Sequence, residues 1–170
     1  MYPEIENERV DTRELPELES LEFQKHPARY KTYRFLLSAL IWIIPITGLI
    51  IAWIFSPMPW PWIVTGIIGF FMALNLIGIP IGYRYRKYVL RERDLTYKKG
   101  WIFFSTVTIP FNRIQHTEVS QGPIEKKYDL CTLKIFTAGG STSDLSIPGL
   151  EEDEAQRIRD YVAKKAALYA

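Results

Sequence analysis

The apolar positions of this chain are concentrated in its first half, where charged residues stop abruptly. Residues 35–83 contain no Asp, Glu, Lys or Arg, whereas the segments on both sides are densely charged. Two apolar runs of equal length fill this stretch, residues 35–55 and 62–82. At about 1.5 Å per residue, a helix of that length spans the roughly 30 Å hydrocarbon core of a bilayer. The pattern therefore predicts two membrane-spanning helices.

The segment between the two runs predicts a sharp turn. Residues 56–61 (SPMPWP) contain three prolines, which lack a backbone N–H and disfavour helix at the preceding residue. We therefore predict an antiparallel helical hairpin whose two outer ends lie on the same side of the membrane. A hairpin buried inside a soluble protein is the alternative, but it would need a larger surrounding domain than the remaining residues can form.

Positive charge flanks only the outer ends of the predicted hairpin, and the connection carries no charge. The basic residues are Lys25, Arg29, Lys31, Arg34, Arg84, Arg86 and Lys87. By the positive-inside rule, we expect a multi-pass protein of the plasma membrane with both termini in the cytoplasm. Aromatic residues at the two ends are expected to lie in the headgroup layers: Tyr30, Tyr33, Tyr83 and Tyr85 at the charged end, and Trp53, Trp60 and Trp62 at the other.

The hairpin divides the chain into three parts. Residues 1–34 form an acidic cytoplasmic tail, with eight acids against two arginines in residues 1–24, followed by a basic juxtamembrane segment. Residues 35–83 form the hairpin. Residues 84–170 form a cytoplasmic domain, and its 15 basic and 11 acidic residues are too nearly balanced to favour nucleic acid as a partner.

The soluble part alternates apolar and polar residues with a period of two, which is typical of strands. We predict strands at residues 85–90, 95–101, 106–109, 114–120, 131–137 and 145–147. Turns are expected at residues 91–94 and at Gly139-Gly140. Acidic residues beginning at Glu151 and basic residues ending at Lys165 match the dipole of one C-terminal helix. Its apolar face comprises Ala155, Ile158, Val162 and Ala166.

The residues that carry most enzyme and metal chemistry are few and scattered. His26 and His116 have no partner at metal-ligand spacing, so both are expected to be surface residues. Cys131, the only cysteine, shares the apolar face of its strand and is expected in the core. Because no phosphate loop, nucleophile motif or paired carboxylate is present, we expect a non-enzymatic protein without cofactor or metal.

The second apolar run contains small and polar residues suited to helix packing. Gly78 and Gly82 are spaced as GxxxG, and Gly69 and Ala73 as a second small-residue pair, which allows close helix approach. Asn75 is the most polar side chain deep in this run, and it needs a partner in the first helix or in another subunit.

Several segments of the domain resemble one bacterial family. They are residues 88–100 (YVLRERDLTYKKG), 108–115 (TIPFNRIQ), 119–135 (VSQGPIEKKYDLCTLKI), 137–140 (TAGG) and 147–148 (IP). In this order, and after a two-helix hairpin, they are similar to the bacterial pleckstrin-homology-like domain family (YdbS-like, DUF304). The resemblance covers roughly residues 30–165. His116 and Gly149 depart from its usual pattern.

The resemblance implies an α+β membrane protein: a transmembrane hairpin followed by a PH-like antiparallel β-barrel of about seven strands, closed by a C-terminal helix. We expect a membrane-anchored protein-interaction or scaffold module at the inner face of the plasma membrane, bound to a protein partner or to itself. The alternative is a small accessory subunit of a membrane transport or export complex.

Eukaryotic relatives of the implied fold bind phosphoinositides through basic residues of the first β-hairpin. Here that turn mixes Arg91 and Arg93 with Glu92 and Asp94. Partners are expected to include the lipid bilayer, with anionic headgroups attracted by about 1 kcal/mol for each basic residue near the surface. The candidate surface contacts are Arg84, Arg86, Lys87, Arg91 and Arg93.

Overall fold

The computed structural model describes residues 22–55, 59–138 and 143–168. Most of the predicted acidic tail (residues 1–21), the first half of the connection between the helices and the Gly139-Gly140 turn lie outside these residues. Within them, two apolar helices precede antiparallel sheets and a C-terminal helix, so the predicted order of elements is confirmed.

The two apolar helices are longer than their apolar runs. Helix α1 spans Ala28–Phe55 and helix α2 spans Trp60–Tyr85. They follow a two-residue strand, β1, at Gln24–Lys25. The helices lie antiparallel. Ser38, in the first half of α1, donates a hydrogen bond to Asn75 in the second half of α2, whereas Trp53 near the end of α1 donates to Thr65 near the start of α2. The first seven residues of α1 are mostly polar and extend beyond its apolar run toward the soluble domain.

The soluble domain consists of two antiparallel sheets and two helices. One sheet has the strand order β1-β2-β3-β4, with β2 at Lys87–Leu90, β3 at Asp94–Lys99 and β4 at Ser105–Pro110. The other has the order β5-β6-β7, with β5 at Ile114–Ser120, β6 at Leu130–Thr137 and β7 at Leu145–Glu151. The short helix α3 at Pro123–Lys127, which periodicity did not predict, precedes β6, and α4 covers Glu152–Ala167.

The expectation of a closed barrel was wrong. Within the described residues, β4 pairs only with β3 and β5 pairs only with β6, so no backbone ladder joins the two sheets. A 3-10 turn at Phe111–Arg113 separates β4 from β5. Pro110 lacks an N–H to extend the ladder, and the side chain of Phe111 is fully buried. The chain therefore turns a corner here instead of continuing one sheet.

The core lies between the two sheets, and α4 covers it. Cys131, predicted to be a core residue, is fully buried there, and burial raises its pKa to about 11. Helix α4 contributes three of its four predicted apolar residues, while Ala166 is partly exposed. The buried members of this core are Tyr88, Leu95, Tyr97, Ile109, Phe111, Cys131, Leu133, Ile135, Leu145, Ile147, Leu150, Ala155, Ile158 and Val162.

Candidate functional site: the base of the hairpin

The connectivity of the first sheet determines which of its loops faces the helices. Strand β2 begins at Lys87, two residues after α2 ends, and therefore runs away from the hairpin. Strand β3 returns with Lys98 opposite Lys87, which brings the loop at residues 100–104 back to the hairpin. The turn at residues 91–93 lies at the other end of β2, roughly 10 Å farther away. The two ends of this sheet therefore have different neighbours.

The chain before α1 also enters the soluble domain. Gln24 pairs with Tyr88 and Lys25 with Lys87, so the segments before and after the hairpin form one antiparallel pair. This pairing carries His26 and the first turn of α1 into the domain. It also holds the outer ends of the two helices side by side.

A cluster of four buried rings and one partly buried arginine joins the helices to the domain. We call it the junction and define it as His26, Tyr30, Arg86, Tyr88 and Tyr97. Tyr30 is 1% exposed and His26 is 3% exposed. The His26 ring centroid lies 5.1 Å from that of Tyr30, 5.9 Å from Tyr88 and 6.1 Å from Tyr97. Arg86 donates a hydrogen bond of 3.0 Å to the Tyr30 hydroxyl. The prediction that Tyr30 anchors the headgroup layer was therefore wrong, because its ring is buried in protein.

The strand opposite Tyr30 is shaped to receive its ring. Gly149 has φ +78°, and the β6–β7 register shifts where Thr132 pairs with Pro148 and Cys131 pairs with Leu150. This is the geometry of a β-bulge with glycine in the left-handed region. A Cβ on Gly149 would lie 2.0 Å from the Tyr30 ring. A glycine is therefore required here both for its backbone angle and for the space that it leaves.

Polar contacts surround the junction. The Tyr83 hydroxyl donates to the His26 carbonyl at 2.7 Å, which links the end of α2 to the segment before α1. Arg29 lies 3.3 Å from Asp129 and 3.8 Å from Glu151, although these side chains are largely exposed and such pairs contribute little. The hydrogen bond of Tyr83 is therefore the main polar link here between the end of α2 and the segment before α1.

The prediction that His26 is a surface residue was wrong. Neither ring nitrogen has a hydrogen-bond partner within the part of the chain that the structure describes. Burial lowers the pKa of His26 to about 4, and the positive charge of Arg86 adds to this change. A backbone contact with Gly149 opposes it, although this contact does not have the geometry of a hydrogen bond. His26 is therefore neutral at physiological pH. His116 is exposed as predicted, and its ring stacks on Phe136 with centroids 4.2 Å apart.

Beside the junction, an open cavity of about 350 Å³ lies between the helices and the loop at residues 100–104. Three basic side chains line it: Arg34 from α1, Arg86 after α2, and Lys99 at the end of β3. Apolar side chains form much of the remaining wall, including Ile79 and Trp101. The cavity thus has a cationic part and an apolar part.

The loop on one side of this cavity exposes large apolar side chains; we call residues 101–104 (WIFF) the aromatic loop. Ile102, Phe103 and Phe104 are 66%, 88% and 65% exposed. Trp101 packs on α2, where a Cβ on Gly78 would lie 2.9 Å from its indole. The Phe104 ring packs edge-to-face on Tyr85, with centroids 5.1 Å apart. The loop is therefore attached to the helix while its tip is uncovered.

The structure separates the predicted helix-packing residues into two groups. The first has partners within the structure and comprises Asn75, Gly78 and Gly82; the second is exposed and comprises Gly69 and Ala73. Asn75 accepts a hydrogen bond from the buried Ser38 hydroxyl of α1. Gly78 and Gly82 both face Trp101 of the aromatic loop. Gly69 and Ala73 are exposed, and a Cβ on Gly69 would meet nothing within 4 Å. Only the second group leaves an open small-residue face.

The five predicted surface cations also separate. Arg84 and Lys87 line a second opening with Lys25 and Tyr83, and Arg86 joins the junction. The remaining two belong to the distant turn: Arg91 lies 2.7 Å from Asp94, and Arg93 is exposed.

Sequence reasoning missed both the junction and the aromatic loop as sites. For the loop a signal was present, because four consecutive large apolar residues directly after a glycine are unusual in an exposed turn.

A separate groove of about 240 Å³ lies on the domain surface, between edge strand β5 and the end of α4. Residues 114–117 form one side, and Ala163, Ala166 and Ala167 form the other. The lining carries no Asp, Glu, Lys or Arg side chain. Small alanine side chains leave room for another chain to approach the strand.

Comparison with known proteins identifies the family. A crystal structure of a DUF1696 family protein with a pleckstrin-homology domain, from Shewanella loihica PV-4, aligns with a TM-score of 0.38 and 19% identity, covering 48% of this chain and 70% of that one. The UPF0699 transmembrane protein YdbS of Bacillus subtilis (strain 168) is 32% identical over 144 residues, which are 82% of this chain and 87% of that protein. The profile of the bacterial PH domain family (bPH_2) matches residues 33–166. This chain therefore belongs to the bacterial PH domain family.

Proposed function

We propose that the hairpin crosses the plasma membrane twice and that the PH-like domain lies in the cytoplasm as a non-enzymatic interaction module. The exposure of the helices supports the crossing. In the most apolar 18-residue stretch of each helix, only 6% of the residues of α1 and 11% of those of α2 are buried within the structure. A helix in the core of a soluble protein would be mostly buried, so the exposure of these apolar surfaces supports a lipid environment for them.

The similar YdbS protein is named a transmembrane protein, which agrees with this proposal. The orientation rests on the basic residues at the outer ends of the helices, which the β1–β2 pairing holds together on one side. Positive residues next to spanning segments favour the cytoplasmic side.

Cysteine labelling in intact cells tests the topology. Native Cys131 is fully buried and its pKa is raised, so it will react slowly. We expect a membrane-impermeant maleimide to label a Ser56→Cys variant in intact cells. A Lys127→Cys variant should be labelled only after permeabilisation. Labelling of Lys127→Cys in intact cells would overturn the proposed orientation.

The groove between β5 and α4 supports the interaction role. An edge strand has unpaired backbone groups, and an extended peptide can add to it as a further strand. The uncharged groove beside β5 can receive the side chains of such a peptide. The occupant that we propose is therefore an extended segment of a protein partner or of a second copy of this chain.

Photo-crosslinking from single positions in intact membranes tests this role. A photoreactive residue replacing Thr117 is expected to capture one defined protein, identified by mass spectrometry. An Ala166→Glu substitution in the same chain should abolish that product, because it places a carboxylate in the groove. Ala163→Ser is the matched control and should preserve it. Crosslinking that is unchanged by Ala166→Glu would rule out the groove.

The alternative role, as an accessory subunit of a transport complex, has one supporting observation. The small-residue face of Gly69 and Ala73 is open to another helix, although Asn75 already has a partner inside the hairpin. A photoreactive residue replacing Ala73 distinguishes the two roles. Capture of a polytopic protein there, with none at Thr117, would favour the transport role.

A further inference from the structure

We propose that the cavity lined by Arg34, Arg86 and Lys99 binds the phosphate of an anionic membrane phospholipid, and that the aromatic loop inserts into the bilayer beside it. This inference rests on the proposed membrane crossing, because the position of α2 in the bilayer determines how deep the site lies. It assigns a lipid-binding site to the hairpin side of the domain, whereas the resemblance had pointed to the first β-hairpin turn.

The charge of the cavity favours an anion. Arg34, Arg86 and Lys99 come from three separate parts of the chain and line one opening. No lining residue is an acid, and none of the three cations has a carboxylate within 4.0 Å among the described residues. Arg86 is held in place by its hydrogen bond to Tyr30. Arginine is well suited to phosphate, because its planar guanidinium presents several N–H donors together.

The position of the cavity matches the headgroup layer. Gly78, which contacts Trp101, lies about 6 Å inside the end of the apolar run at Gly82. Arg34 directly precedes the other apolar run, which begins at Phe35. If α2 crosses the bilayer, the indole of Trp101 lies below the headgroups and the three cations lie among them. A phosphodiester at that level would be within their reach.

The apolar wall distinguishes a lipid from a soluble phosphate. Ile79, Trp101, Ile102 and Phe103 line the same cavity as the cations. A phospholipid has the matching arrangement, with an anionic phosphate attached to apolar chains. The exposed tip of the loop needs the same environment, because Phe103 is 88% exposed and belongs to a run of large apolar side chains. One lipid-facing surface therefore accounts for both the cations and the loop.

Native mass spectrometry of the full-length protein tests the site. The protein is released from nanodiscs that contain equal amounts of phosphatidylglycerol and phosphatidylcholine, and the retained lipids are counted. We expect the wild type to retain phosphatidylglycerol preferentially. A double Arg34→Gln, Lys99→Gln variant should reduce that preference roughly 30-fold, from about 1 kcal/mol for each cation removed. A matched Arg93→Gln, Lys127→Gln variant loses the same charge elsewhere and should keep it.

Equal loss of preference in the two variants, or none in the first, would overturn the proposal. A second arm separates lipid from free phosphate: glycerol phosphate is added in excess to delipidated protein. Binding of this soluble anion with the same dependence on Arg34 and Lys99 would show a soluble-phosphate site and overturn the lipid assignment. The cysteine labelling tests the membrane crossing separately, so failure of lipid binding leaves that result intact.

A measurement on the wild type avoids any effect of substitution on folding. Phosphatidylglycerol with a photoreactive group near the top of one acyl chain is added to the membrane and activated by light. Labelled peptides are expected to map to Ile79 and the aromatic loop. Labelling confined to the outer surfaces of the helices, such as the region of Gly69, would contradict insertion of the loop.

Discussion

The two ends of the first sheet carry similar basic residues in very different surroundings. At the hairpin end, Arg86 is packed against Tyr30 and lines a cavity without carboxylates. At the far end, Arg91 pairs with Asp94 on the surface of a tight turn. The hairpin end also has more basic residues, with Arg86, Lys87, Lys98 and Lys99 against Arg91 and Arg93 at the far end. The connectivity places the hairpin end against the helices, so topology determines which cations line a cavity.

The largest loss of stability is expected from a substitution at Gly149, in the bulge that receives the Tyr30 ring. We expect Gly149→Ala to destabilise the protein by roughly 2–5 kcal/mol. A non-glycine residue at positive φ costs about 1–2 kcal/mol, and displacement of a tightly packed ring costs about 1–3 kcal/mol more. Thermal unfolding in detergent would measure the loss. Gly122→Ala is the control, because its added methyl group meets only a Glu125 oxygen at 3.4 Å, and it should lose less than about 1 kcal/mol.

An intermediate loss of stability is expected when the pH is lowered, because the junction buries His26. His26 binds a proton less readily in the folded protein, with a pKa of about 4, than in the unfolded chain, where the pKa is 6.5. The unfolded state therefore binds more protons between these values, and stability falls as the pH decreases through this window. The expected loss is about 3 kcal/mol at pH 4 relative to pH 7.

Two variants isolate the contribution of His26 from that of other titrating groups. A His26→Leu substitution should remove this part of the pH dependence, while leaving stability at pH 7 within about 1 kcal/mol, because a buried group without hydrogen-bond partners is replaced. His116→Gln alters the exposed histidine and should retain the wild-type slope. Denaturant unfolding at several pH values provides the measurement. An unchanged slope in His26→Leu would show that the junction does not bury this imidazole.

The smallest effect is expected at the far end of the sheet. The Arg91 and Asp94 side chains are 35% and 20% exposed, and a pair near the surface typically contributes less than about 1 kcal/mol. Arg91→Ala should therefore lower the free energy of unfolding by less than that amount, and it should leave lipid retention unchanged. If Arg91→Ala reduced lipid retention as strongly as the cavity variant, the distinction between the two ends would disappear.

The parts of the fold that follow from local pattern were predictable. The apolar runs indicated both helices, and the alternation at residues 114–120 predicted strand β5 with its observed bounds. Strand β7 was predicted to end at Ile147, before Pro148-Gly149. It continues to Glu151, because the bulge at Gly149 is stabilised against Tyr30, a residue far away in sequence.

The junction could not be predicted for a similar reason. The burial of His26 depends on the pairing of Gln24 with Tyr88, across the whole length of the hairpin. No short stretch of sequence shows that these two distant residues pair. The cavity is likewise assembled from Arg34, Arg86 and Lys99, which only the three-dimensional arrangement brings together. Asn75 was predicted to need a partner, and the geometry of the helix pair determines that the partner is Ser38.

The pairing of β1 with β2 also imposes an order on biosynthesis. Lys25 leaves the ribosome some sixty residues before its partner Lys87, and the two apolar helices are made in between. The edge of the sheet can therefore form only after the second helix has been synthesised and brought back to the same side as the first. Under the proposed double crossing, a chain whose second helix failed to insert would leave one edge of β2 unpaired. Completion of this sheet would then depend on the insertion of both helices.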